Sequence, residues 1–410
     1  MAARATKPND DVVLHEGWIR VVDDAGLKAT GRGDVRIVWQ PAPAVRARTK
    51  LRTLWKADEG EVELAIERRR GSGRSRFGLD IDLTGPRPLT DVDAAFLEPV
   101  HVGNGRRMSA VTFDLVNFPL LDRPRKARAG DWLLGLAPKA PASDFQVLRE
   151  AGGYGLTATG RIEREDGSSF TSAAAELLLD SVFHFVSFAA GAWVLPVAVD
   201  GLDDRDQVVW RKWEIYRTSP WASHLRWLPQ RDQQPFIDLF AAWNERWGNR
   251  YWRDVLSRVI YFTMAANEPR ADLGLTLAQA ALEMLSYAIC VKESGTLTDA
   301  DFAVGSKKNA SDRIRQLLID GGISAAIPAS LAALTSLSGP SPTGDGPAAI
   351  TWLRNRLAHP IKSKVMSSLG AEMFEAWRLS VWYLEASLLS LLKYRGNVWS
   401  RVSGVLEPFV

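Results

Sequence analysis

The chain has 410 residues, 46% of them apolar and 24% charged, which is the balance of a globular protein too long for a single ordinary core. A net charge of +3 is too small to argue for a nucleic-acid coat. The single cysteine, Cys290, excludes an internal disulfide framework and a cysteine-rich zinc site, and fits a reducing compartment.

The first residues, Met1 to Pro8, lack the apolar core of a signal peptide, so a cytoplasmic protein with no membrane partner is expected. β-branched and aromatic runs bounded by glycine, aspartate and proline predict strands over 12–22 and 34–40. Residues 61–68 and 76–83 flank Gly71-Ser72-Gly73, the pattern of a hairpin with a solvated tip. That tip lies beside Arg68, Arg69 and Arg70 and could reach a nucleic-acid backbone. It lacks the spacing and the lysine of a phosphate-binding loop. Further strands are expected over 111–118, 132–136 and 155–164.

A helix is predicted over 172–190. The run 181–199 carries no formal charge, but His184, Gly191 and Pro196 interrupt it and Asp180 abuts it. A buried helix leading into a strand fits better than a membrane span. His184, between Phe183 and Phe185, reads as a core histidine. The next hairpin, 193–199 with 207–215, has the acidic turn Asp200 to Asp206, which lacks the spacing and terminal glutamate of a calcium loop and reads as a solvated turn. Among 16 tryptophans, Trp210, Trp213, Trp221, Trp227, Trp243, Trp247 and Trp252 concentrate around this point. They could stack bases, but an interdomain or dimer core is the favoured reading.

After Pro235 apolar residues recur at three- and four-residue steps. Helices are predicted over 236–247, 252–266, 275–291 and from 301 or 306 to 319, the last stopped by Gly321-Gly322. A short helix at 328–337 and a Gly/Pro/Ser linker at 338–346 precede a helix opening at Pro347, and a long one covers 365–393. The fold class is therefore α+β. A β-rich sensing or regulatory domain spans 1–230, a helical connector 231–269 and a helical bundle 270–397.

The helix opening at Pro347 carries Arg354-Asn355-Arg356-Leu357-Ala358-His359, followed by Pro360. Arginine holds a phosphate with two parallel hydrogen bonds, and histidine takes and returns a proton near neutral pH. On a helix Asn355 and His359 share a face, so Arg354, Asn355 and His359 form a compact kit for attack on an RNA phosphodiester that needs no metal or other cofactor. Arg356, Lys362 and Lys364 add cations for the RNA backbone. The bare spacing is common by chance; Arg217 and His224 form a similar pair, discounted because Pro220 interrupts it. The histidines form no metal-ligand cluster, and Cys290 has no activating histidine nearby in sequence.

Arg354-Asn355 with His359, in the penultimate helix of an all-helical C-terminal part, resembles the signature of the HEPN superfamily. Residues 275–287, Leu-Thr-Leu-Ala-Gln-Ala-Ala-Leu-Glu-Met-Leu-Ser-Tyr, look like the opening helix of HEPN domains in bacterial defence proteins. The β-rich half, with Phe113-Asp114-Leu115-Val116-Asn117-Phe118, is similar to the N-terminal halves of abortive-infection proteins of the ApeA type. The resemblance covers 270–397. It implies a metal-independent endoribonuclease that acts as a homodimer on RNA, in an anti-phage or toxin-like system with a trigger at the N-terminal domain. His359 would activate the ribose 2′-hydroxyl or protonate the leaving 5′-oxygen. Arg354 would stabilise the phosphorane charge, and Asn355 would orient the histidine or the phosphate. Two rival readings stand beside it: a non-catalytic HEPN-like RNA- or nucleotide-binding module, and a β-domain receptor or adaptor with a structural helical dimerisation domain.

Overall fold

Alternation of buried and less buried residues along strands such as Ala44–Leu51 and Leu89–Phe96 sets the architecture of the N-terminal half. The computed structural model describes residues 7–66, 69–82, 88–222, 226–231, 233–268, 270–337, 344–358 and 370–409. It is α+β, with a β-rich N-terminal half and a helical C-terminal region. In the first half the strands are β1 (Val12–Asp23), β2 (Lys28–Val38), β3 (Ala44–Leu51), β4 (Glu59–Ile66), β5 (Arg69–Asp82), β6 (Leu89–Phe96), β7 (Val100–Gly103), β8 (Ala110–Val116), β9 (Arg125–Ala129) and β10 (Trp132–Pro138). Helix α1 (Ala142–Ala151), β11 (Leu156–Arg164), α2 (Ser172–Ala190), β12 (Pro196–Leu202) and β13 (Val208–Trp213) follow.

Strands β1, β2, β3, β6, β5 and β4 pair in that order, and β4 pairs back to β1, closing a six-stranded antiparallel barrel. Its interior takes Ile19, Val21, Val35, Ile37, Val45, Ala47, Val62, Leu64 and Val92, all nearly inaccessible. A bulge in β1 between Val13 and His15 shifts the buried phase from Val12 and Leu14 to Ile19 and Val21. Gly33 sits where a Cβ would lie 1.9 Å from the Arg48 carbonyl oxygen, so only glycine lets β2 and β3 approach.

Strand β5 is long because it serves two structures. Beyond its barrel pairings, Gly71 and Ser72 also pair with Val102 and His101 of β7. From β7 the sheet continues through β13, β12, β8, β11, β10 and β9. The sequence-predicted turn at Gly71-Ser72-Gly73 is thus corrected: these residues lie within β5. Gly71 is required because a Cβ there would meet the His101 carbonyl oxygen at 2.5 Å.

The acidic turn needs a similar correction. Asp203 to Asp206 form the turn, with Asp203 accepting from the amides of Arg205 and Gln207. Asp200 instead lies in β12, opposite Arg211 of β13, and pairs with it at 3.2 Å. Burial pushes the Asp200 carboxyl above its ordinary range despite the arginine.

The chain forms two compact units, residues 1–183 with 194–223, and residues 184–193 with 224–410. The second unit holds α3 (Gln234–Asp238), α4 (Phe240–Gly248), α5 (Arg250–Ala266), α6 (Ala271–Ser286), α7 (Ala310–Asp320), α8 (Ala332–Thr335), α9 (Gly346–Ala358) and α10 (Gly370–Leu391). It closes with the hairpin β14 (Asn397–Trp399) and β15 (Leu406–Pro408). Helix α6 packs against α5 and α10, and α9 against α6, α7 and α10. Phe185 and Phe188 from the end of α2 join Trp227, Phe236, Trp243, Trp247 and Tyr394 in a buried aromatic cluster. The expected helix 236–247 is broken at Leu239 into α3 and α4, and 275–291 begins earlier and ends in a π-helical turn, Tyr287–Val291. Helices Ser172–Ala190 and Ala271–Val291 have the length and hydropathy of membrane spans, but 72% and 56% of their most apolar windows are buried within the protein.

Candidate functional site

Helix α9 is fixed at its start. Asp345 caps it, accepting from the Ala348 amide at 3.0 Å, and is gripped by Arg315 of α7 at 2.5 and 3.2 Å. Gly346 follows because a Cβ there would fall 2.2 Å from the Tyr383 hydroxyl of α10. Ala349, Ile350 and Leu353 form its buried stripe.

That packing carries the motif to the last turn of α9. The half-buried Arg354 donates from Nη1 to Asn355 Oδ1 at 3.3 Å. Its Nε is sealed from solvent and has no hydrogen-bond partner among the described residues, as is the hydroxyl of Thr351 one turn earlier. Arg356 lies over the Trp352 ring, 3.8 Å from its centroid. This stack holds the guanidinium in place without using its hydrogen-bond donors. The structure therefore brings Arg354 and Asn355 together and turns Arg356 onto its own helix. His359, Lys362 and Lys364 lie outside the described residues, as does His224 of the discounted pair.

Other chemistry-bearing groups are set in structural roles. His184 is buried, with its ring 4.7 Å from Trp247 and 6.3 Å from Trp193. Cys290 is buried in the π-helical turn. Burial, reinforced by the nearby charge of Asp320, pushes its thiol up to about 12, which makes it inert as a nucleophile near neutral pH. Among the described residues no group of three or more histidine, cysteine or acidic side chains could hold a metal ion.

Sequence reading missed a second candidate, a cleft of about 610 Å³ on the outer wall of the barrel, lined by Trp18, Arg20, Glu63, Arg70, Ser72 and His101 among others. The available signal was Trp18 and Arg20 on the polar phase of β1, since a large aromatic alternating with charged residues faces solvent.

Fold and site together define a two-unit α+β protein with a closed β-barrel, an antiparallel extension of the same sheet and a helical bundle bearing an Arg-Asn pair at a helix end. Residues 103–224 match the family model for the YopA central domain and 249–408 the one for the YopA C-terminal domain. The SPbeta prophage-derived uncharacterized protein YopA of Bacillus subtilis (strain 168) is 25% identical over 292 residues, 69% of this chain. The alignment covers 64% of that relative, so the chain spans less than two thirds of its length. No solved structure matches the chain. The barrel strands β1 to β6 lie outside both matched segments.

Proposed function

We propose that this chain is a metal-independent endoribonuclease of an anti-phage or toxin-like system, cytoplasmic and active as a homodimer, whose HEPN-like bundle cleaves RNA. One observation carries the reading. The part-buried Arg354 guanidinium sits in the last turn of α9, with Nε unpartnered among the described residues, five positions before the motif histidine. A half-buried guanidinium that makes only one long bond to its neighbour keeps donors for a phosphate. The prophage origin of the YopA relative adds support for a role in phage–host conflict.

In this mechanism the ribose 2′-oxygen attacks the adjacent phosphorus as one His359 withdraws its proton, and the His359 of the second copy protonates the leaving 5′-oxygen. The P–O5′ bond breaks, leaving a 2′,3′-cyclic phosphate and a 5′-hydroxyl. Arg354 holds the nonbridging oxygens as charge builds on them. Asn355, already accepting from Arg354 Nη1, keeps the guanidinium oriented. A homodimer would set two such helix ends on one phosphodiester.

The test is cleavage of RNA by purified protein in EDTA, comparing wild type with His359→Ala and Arg354→Ala. The expected result is loss of cleavage in both variants and cyclic phosphate ends in wild-type products. Activity that survives both substitutions overturns the site. RNA binding that depends on Arg354, without cleavage in vitro or toxicity on expression, would reduce the bundle to a binding module.

A further inference from the structure

We propose that the cleft on the outer wall of the β-barrel binds a mononucleotide, with its base stacked on Trp18, its ribose on a polar row across the strands and its phosphate on Arg70. Pleating gives this wall its character. Ile19, Val21, Val62 and Leu64 point into the barrel, so the residues alternating with them face out. The strand register then aligns the outward residues. His101 of β7 pairs with Ser72 of β5, Ser72 with Glu63 of β4, Glu63 with Arg20 of β1, and Arg20 with Thr30 of β2. Five polar side chains thus form one line across five strands.

Three features of the cleft select the ligand class. The row mixes donors and acceptors, and its main charges cancel, because Arg20 Nη1 lies 2.9 Å from Glu63. Such a row suits hydroxyl groups better than a bare anion. Trp18 is 58% exposed, with the Arg32 guanidinium over one side of its ring at 5.8 Å from the centroid and the rest of a large aromatic surface left to water. Its face can stack any base, since every base offers a π-face. Arg70, exposed at the rim, has no acidic partner among the described residues and stands free to hold a phosphate. A plain sugar would use the ring and the row but not the cation; inorganic phosphate would use the cation alone. The volume of about 610 Å³ suits a small ligand of nucleotide size.

This site lies in the barrel, outside the segments that match YopA models, and its occupancy does not depend on any activity of α9. The experiment is calorimetric titration of the full-length chain with the four ribonucleoside 5′-monophosphates and their 3′,5′-cyclic forms. Nucleosides, ribose 5-phosphate and a methyl pyranoside serve as comparisons. Saturable binding of at least one nucleotide is expected, weakened about tenfold or more by Trp18→Ala and by Arg70→Ala. Trp18→Phe should retain binding, and nucleoside binding should not respond to Arg70→Ala. Both side chains are exposed, so thermal melts of the variants should match wild type. The His359→Ala variant should bind as wild type does, which separates this result from the fate of the nuclease reading. The proposal is overturned if no nucleotide saturates the protein at millimolar concentration. It is equally overturned if ribose 5-phosphate or the pyranoside binds as well as the nucleotide, or if binding survives Trp18→Ala unchanged.

Discussion

Two arginines of the helical unit are treated in opposite ways. Arg401, in the C-terminal hairpin, has a side chain 1% exposed and saturated with partners. Nε and Nη2 bind Glu385 of α10 at 2.5 and 2.7 Å, and Nη1 donates to Asn267 at 2.8 Å. The Asn267 amide in turn donates to the Gly191 carbonyl at 2.6 Å. Arg354, at the end of α9, has one long bond to its neighbour and a sealed Nε with no partner among the described residues. Taking a guanidinium out of water costs several kcal/mol, and bidentate pairing with further hydrogen bonds repays it at Arg401. At the half-buried Arg354 only Nε is withdrawn from water and left without a partner among the described residues. A saturated buried charge ties segments together, whereas the half-buried Arg354 commits only Nη1, in one long bond to its neighbour.

Arg401→Ala gives the largest effect on stability. It strands Glu385 in the core, and a loss of about 3–5 kcal/mol in urea unfolding is expected. A loss under about 1 kcal/mol would break the assignment of Arg401 as a tie. Arg354→Ala should do the reverse. It should cost RNA cleavage about 100- to 1,000-fold, with an unfolding free energy within about 0.5 kcal/mol of wild type. Arg354→Lys should not restore cleavage, because an ammonium lacks the planar fork. A large stability loss in Arg354→Ala would make the two arginines alike and remove the ground for the site.

Asp320 extends the saturated class to an acid. Burial works to raise its pKa, but hydrogen bonds from Thr296, Gln316 and Ser294 outweigh that and hold it below the ordinary value. A carboxyl with a depressed folded-state pKa stabilises the fold above its unfolded value and loses that contribution as pH falls through the folded one. Asp320→Ala should cost about 1–2 kcal/mol near neutrality. The gap to wild type should close in urea titrations below about pH 4; a gap that widens there would contradict the assigned cause. The smallest effect belongs to Asn309, which caps α7 by accepting from the Asp312 amide while Asp312 returns the bond. Asn309→Ala should lower the melting free energy by about 1 kcal/mol, read by circular dichroism.

Much of the helical half was legible because its signals are local. The Gly321-Gly322 stop after α7 and Pro347 at the start of α9 both act within one or two turns, whereas α7 starts at Ala310 behind the Asn309 cap and not at the expected 301 or 306. The π-helical turn at Tyr287–Val291 was not legible, since an irregularity of one turn leaves the apolar period nearly intact. In the β half the β-branched and aromatic content of β1 could be read directly, while β8, expected to alternate as a half-buried strand, is buried along nearly its whole length. The role of Gly71 could not be read, because its reason is the His101 carbonyl 30 residues away on β7. Asp200 looked like part of a turn by composition. It became a buried strand residue only because Arg211 lies opposite it across the β12–β13 ladder.

The amino-acid sequence by itself determined the α+β division, the amphipathic faces and the Arg354-Asn355 pair on one helix end, because periodicity and capping are properties of neighbouring residues. Tertiary structure alone decided the closure of the barrel, the alignment of His101, Ser72, Glu63, Arg20 and Thr30 in one row, and the contrast between Arg401 and Arg354. Those depend on strand register and on partners brought from distant parts of the chain, and hydrogen bonds between distant residues leave no trace in local spacing.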